Sequence, residues 1–327
     1  MPLRKRLPKP ALPLLANVVA CALLCTPLGI ALAGLSGWGH RWVDILAQFT
    51  APALVATVIL TLLLALLRLR FAGVFGLAIC GLLATAVWPQ WFPPRGAPQR
   101  GAVTISVYSA NIRALNVDID AIARSIARAD ADVVILVELG DAPAADLDRV
   151  LASYPHRVGA ARVDRSSGPA RAMIASRYPL REVPEVMNDG LAAVTAVAAT
   201  PLGEIGLMGV HLTRPWPFQH QWGQISQVMA MTDLRDRLPG PVIVAGDFNS
   251  ISSARIGRQI QAEAGLAPAP GFPGTWHAAL PSPFGITIDQ VWRSPDLALL
   301  DRRLGDKNGS DHRPVITRFT AAARSTP

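Results

Sequence analysis

Residues 242–250, VIVAGDFNS, run the apolar segment VIVA straight into Gly246, Asp247, Phe248 and Asn249. The apolar run reads as a buried strand, and Asp247 and Asn249, two apart on an extended chain, point to the same side. The same letters serve a plain β-turn, because Asp and Asn bond their own backbone and Gly accepts positive φ. On this stretch alone both readings stand, so the surrounding chain has to decide between a turn and a site.

Outward from it the sequence alternates strand-like and helix-like pieces. AVTISVYSAN (102–111), VVILVEL (133–139), AMIASRYPL, AAVTAVAAT, IGLMGVHL, ITIDQVW and PVITRFT read as strands. VDIDAIARSIARADA (117–131) and QISQVMAMTDLRDRL (224–238) carry apolar residues at helical spacing, and 267–283 is a Pro-rich loop. Such alternation, without internal repeats, predicts a layered α/β domain over residues 101–327. Polar residues fall at the strand ends: Asn111, Glu138, His211, Asp247 with Asn249, Asp289, and Asp311 with His312 ahead of the last strand. Layered α/β domains gather their sites at such ends.

The N-terminal third has a different composition. The chain is 51% hydrophobic with a mean hydropathy of +0.32, and the excess lies in segments 11–37, 45–67 and 71–88. Each is near the ~20 residues that span a bilayer core and none contains a charge, so three transmembrane helices are expected. A signal peptide is the alternative for the first, but its apolar run is too long and two more follow. Arg4, Lys5, Arg6 and Lys9 precede the first segment, and Arg68 and Arg70 separate the second and third, which predicts a cytoplasmic N-terminus. Three crossings then place the rest outside, with Trp88, Trp91 and Phe92 at the outer interface and 93–100 as a short stiff linker.

The net charge of +8 comes from 31 Lys and Arg against 23 Asp and Glu; residues 1–100 hold 9 and 1 of these, leaving 22 of each sign in 101–327. The basic character is therefore a topology signal, and the outer domain lacks the general positive excess of a non-specific DNA binder. Cys21, Cys25 and Cys80 all lie in the apolar segments, so the outer domain folds without disulfides.

The ordered set SAN, LVEL, GVHL, GDFNS, TIDQVW and SDHRPV resembles the endonuclease/exonuclease/phosphatase superfamily over nearly all of residues 102–319. That resemblance implies a DNase I-like sandwich of two sheets flanked by helices, and metal-dependent phosphoester hydrolysis. By it Glu138, helped by Asn111, binds Mg²⁺, with Mn²⁺ as the alternative ion, and Asp311 either completes that site or holds a second ion. Asp247 orients or deprotonates the attacking water, and Asn249 positions that water and a phosphoryl oxygen. His312 contacts the phosphate with Asp289 as its partner carboxylate, and His211 donates to the phosphate or the leaving group. Arg113 and Arg171 are candidates for neutralising phosphate, and Trp276 for an apolar wall beside the substrate. His220 reads as a surface residue at a helix start.

Together these features predict a multi-pass membrane enzyme with an extracytoplasmic site, acting on a phospholipid, a polyprenyl pyrophosphate or another lipid phosphate in the bilayer that anchors it. The alternative is a tethered nuclease acting on extracellular nucleic acid.

Overall fold

The computed structural model describes residues 11–159, 171–184, 190–215 and 221–323; the basic residues at 4–9 and His220 lie outside them. The chain divides into two compact units, residues 1–89 and 90–327.

In the first unit, α1 (Ala11–Ser36) and α4 (Arg70–Trp91) are long and apolar enough to cross a membrane. The middle segment, expected as one helix over 45–67, is two: α2 (Arg41–Ala47) and α3 (Thr50–Leu66), bent by 54°. Pro52 accounts for the break. Its ring clashes with a helical carbonyl four residues back, at Gln48, and without an N–H it fits only the first turn of α3. A third crossing therefore exists only if this bent pair acts as one broken span. Leu24, Ile79 and Leu83 are packed inside the unit, while Val18, Leu23, Leu62, Phe71 and Leu77 are exposed. Helices apolar all round, with such an outer face, suit lipid rather than water.

The second unit contains two six-stranded sheets. One runs β11 (Leu297–Leu304), β12 (Val315–Ala321), β1 (Thr104–Asn111), β2 (Val133–Leu139), β4 (Arg171–Ser176), β3 (His156–Gly159). The other runs β5 (Leu180–Glu182), β6 (Ala192–Thr200), β7 (Gly203–His211), β8 (Val242–Asp247), β10 (Asp289–Arg293), β9 (Ala267–Pro268). Alternate residues from each close the core between them, with Val107, Ile135 and Ile174 facing Val194, Leu207, Ile243 and Val291.

Helices seal the outer faces. α5 (Ile119–Ala129) lays Ile122 and Ile126 on Tyr108 and Val134; it starts where Asp118 caps the Ala121 N–H at 2.9 Å and stops at Asp130 in left-handed backbone. The short α6 (Asp141–Ala145) and α7 (Leu147–Val150) follow β2. On the other sheet α8 (Gln221–Asp236) and α9 (Arg255–Glu263) pack Val228, Met231, Ile256 and Ile260 against Val210 and Val244. Crossovers through α5 and α8 make β1–β2 and β7–β8 the parallel pairs, and the carboxyl ends of these four strands carry the site.

Beyond the short α6, α7, β3 and β9, two longer elements were not expected. α9 follows GDFNS directly, and β11 is hidden by its mixed sequence LALLDRRL, whose pairing slips at a bulge between Leu299 and Asp301. The segment expected as a linker is stitched to this sheet: the Pro94 carbonyl accepts from Arg293, that of Arg95 from Leu299 N–H, and Gln99 N–H donates to Ala321.

Candidate active site

Strand register assembles the site. His211 stands opposite Asp247 in the parallel β7–β8 pair, and Asp289 stands opposite Asp247 in the antiparallel β8–β10 pair, so the three form a row across neighbouring strands. β8 reaches this row through Gly246, whose φ is +147° and where a Cβ would lie 1.9 Å from the Val210 carbonyl oxygen. In the facing sheet Asn111 ends β1, and Glu138 occupies a shift in the β2–β4 pairing between Leu136 and Leu139. Glu138, Arg113 and Asn249 all take left-handed backbone, with φ of 52°, 61° and 48°. That conformation costs an L residue on the order of 1 kcal/mol, and its clustering along one rim marks a place where aim outweighs strand regularity.

The side chains then meet between the sheets. Asn111 Nδ2 donates to Glu138 Oε1 at 2.9 Å and to Asp247 Oδ2 at 3.0 Å, while its Oδ1 accepts from the Arg113 N–H at 2.9 Å. The amide thus shows its nitrogen to both carboxylates and its oxygen to the backbone, and so holds the acids together. Glu138 Oε2 accepts from the Ala114 N–H at 3.2 Å. His211 Nε2 lies 3.5 Å from Glu138 Oε1 and 3.8 Å from Asp247 Oδ2. Asp247 Oδ1 accepts from the Asn249 N–H at 2.8 Å, and Asn249 Nδ2 donates to the Leu212 carbonyl at 2.9 Å, which leaves its Oδ1 as the acceptor for a substrate or water.

On the other flank His312 Nδ1 sits 2.9 and 3.0 Å from the two oxygens of Asp289, and its Nε2 is 3.9 Å from Asp247 Oδ2. Burial alone would push the imidazole down, but Asp289, then Asp247, outweigh it and hold His312 up at about 10. It is therefore a doubly protonated donor at neutral pH, with Nδ1–H on Asp289 and Nε2–H on the site. Burial pushes Asp247 above the usual carboxylate range; His312 pulls it down and Asp289 pushes it up. Among the described residues two groups of acids and histidines bring their polar atoms within 4.8 Å of one another, Glu138 with His211 and Asp247, and Asp247 with Asp289 and His312; with both its nitrogens protonated His312 offers no ligand atom, so the first group is the better fit to a cation.

Other expected residues take lesser places. Asp311 belongs to neither group; it is half-buried, acts on His312 through its charge, and accepts from the Ala278 N–H through its carbonyl. Arg113 is exposed, and Arg171 is engaged with Asp141 at 3.1 Å. Trp276 borders the site through a backbone bridge to His312. The sequence did not reveal Thr275, whose Oγ1 accepts from the Asp289 N–H, nor Gln224, which bonds the carbonyls of Phe248 and Asn249. A hydroxyl in a Pro-rich loop and an amide on a helix carry no pattern that would mark them.

Solved structures that share this architecture include the following three. An endonuclease/exonuclease/phosphatase of Beutenbergia cavernae is 21% identical with a TM-score of 0.53, covering 67% of this chain and 72% of its own. One from Bacteroides vulgatus is 17% identical at 0.56, covering 67% and 99%. Sphingomyelinase C from Streptomyces griseocarneus is 18% identical at 0.50, covering 68% and 100%. At such identities the likeness is one of fold. No curated protein matches by sequence. Residues 105–312, which hold every side chain of the two groups, match the Endonuclease/Exonuclease/phosphatase family, and the chain belongs to that family of phosphoester hydrolases.

Proposed function

We propose that this protein is a membrane-anchored, divalent-metal-dependent hydrolase of a lipid-linked phosphoester or pyrophosphate, with its site on the extracytoplasmic side. The observation that carries the chemistry is Asp247, a buried carboxylate shared by both side-chain groups. The donor set suits a hard cation: two carboxylates from different sheets are held close, at a cost in like-charge repulsion that a divalent ion removes. Glu138 and Asp247 would hold it, Mg²⁺ or Mn²⁺, and when bound it supplies Lewis-acid polarisation of the phosphoryl oxygens. The Asp247 carboxylate orients the attacking water and takes its proton, and Asn249, tied to Asp247 through its N–H, positions that water with Oδ1. His312 donates from Nε2 to the phosphoryl oxygen while Asp289 holds Nδ1, and His211 serves the leaving oxygen.

The substrate reading rests on the apolar helices and on a second unit with no general positive excess for binding nucleic acid. A site tethered to a bilayer meets lipid phosphates at high effective concentration. The test compares kcat/KM of the full chain for polyprenyl pyrophosphate, a phospholipid and double-stranded DNA at one salt concentration. A lipid phosphate should lead DNA by at least about tenfold, or ~1.4 kcal/mol. DNA as the best of the three would replace this reading with a tethered nuclease.

A further inference from the structure

Arg302 stands where β11 should present an apolar side chain. Leu297 and Leu299 point into the core between the sheets, and after the bulge Arg302 and Leu304 take over that inward phase while Asp301 and Arg303 are exposed. Burial lowers the Arg302 guanidinium to about 10, with Asp289 opposing the shift. An inward-facing charge without a task would be a pure cost.

Its surroundings supply one. Nη1 donates to the Pro273 carbonyl at 2.7 Å. Two residues on, Thr275 Oγ1 accepts from the Asp289 N–H and the Thr275 carbonyl accepts from the Arg313 N–H, while Trp276 bridges to His312. Nη2 is sealed from solvent with no partner among the described residues, and so is Gln290 Oε1. Arg302, Gln290 and Asp289 line one cavity of about 10 Å³, the room of a single water. One water there would accept from Nη2 and donate to the Asp289 carboxylate.

We propose that Arg302 is a positioning residue for the Asp289–His312 pair: through one water in this cavity it fixes the Asp289 carboxylate, and through Pro273 it holds the loop that carries Thr275 and Trp276. The inference rests on the hydrolase reading for its catalytic consequence, while the fixing of the pair stands apart from it.

The experiment uses the full chain in detergent. With bis(4-nitrophenyl) phosphate and Mg²⁺, Arg302→Met should lower kcat about tenfold or more with KM changed less than about threefold, and Arg302→Lys should recover most of the loss. Combined with Asp289→Asn, Arg302→Met should cost much less than it does alone, because the part of its effect that passes through that carboxylate is already gone and only the loop contact at Pro273 is left. An equal loss in both backgrounds would overturn the assignment. In parallel, ¹⁵N-histidine spectra of the metal-free protein should show the His312 Nδ1 proton displaced or broadened in Arg302→Met and restored in Arg302→Lys. An unchanged resonance would also overturn it. Inactivity of the parent chain would sink the hydrolase reading alone, since the spectra still decide on Arg302. Arg302→Gln, which keeps a donor for Pro273, replaces Met if that variant does not fold.

Discussion

Glu138 combines a left-handed backbone, a slip in strand pairing and a carboxylate held beside Asp247 by a shared amide. The backbone and the slip aim the carboxylate, and its closeness to Asp247 is a like-charge cost that a cation would relieve. Glu138→Gln keeps the Oε1 acceptor for Asn111, gives up the acceptor for the Ala114 N–H, and relieves repulsion with Asp247. The two stability effects oppose, so the metal-free variant should melt within a few degrees of the parent. The Mg²⁺ concentration for half-maximal activity should rise about tenfold or more. Titration of activity against Mg²⁺ beside thermal melting checks both, and an unchanged Mg²⁺ requirement in the folded variant would remove Glu138 from the ligand set. At this scale much of the site was legible, because an acid or amide closing a buried apolar run, as in VVILVEL or VIVAGDFNS, has few structural excuses. The orientation of Asn111 was not, since it depends on an N–H two residues on and on carboxylates from both sheets. Arg302 was hidden by the bulge that reverses the phase of β11.

Among the elements, β8 is the most constrained. Its last residues pass so close to β7 that Gly246 has no room for a side chain, and its φ lies where an L residue is strained. Gly246→Ala should therefore destabilise the second unit by at least about 2 kcal/mol and abolish activity by displacing Asp247. Gly265→Ala, at φ +63° but with open space around it, should cost only about 1 kcal/mol and leave activity intact. Urea denaturation of both variants measures the contrast, and equal costs would mean that β7 and β8 yield more readily than their packing indicates. Strands with clean apolar runs and helices with one apolar face were readable ahead of the structure. The break between α2 and α3 was also written in the chain, at Pro52, but inside a uniformly apolar run a hydropathy reading passes over it.

For the molecule as a whole, the uneven placement of charge makes a prediction of its own. With 9 Lys and Arg against one acid in residues 1–100, and the basic residues gathered before the first apolar segment and between the second and third, residues 101–327 should lie outside the cytoplasm. Alkaline phosphatase fused after residue 100 should be active and green fluorescent protein at the same place dark. The reverse pattern would withdraw the extracytoplasmic lipid-phosphate reading, and would follow if α2 and α3 do not cross as one span. The pairs described above also share an arrangement: Asn111 with Asp247, Glu138 with His211, and His312 with Asp289 each take one member from either sheet or its flanking segment. These cross-sheet pairs exist only while the two halves of the sandwich are shut, and a slight gaping of that seam separates all three at once with each sheet's own ladder still bonded. Catalytic competence in such a protein tracks the closed fraction of molecules, a narrower population than the folded one.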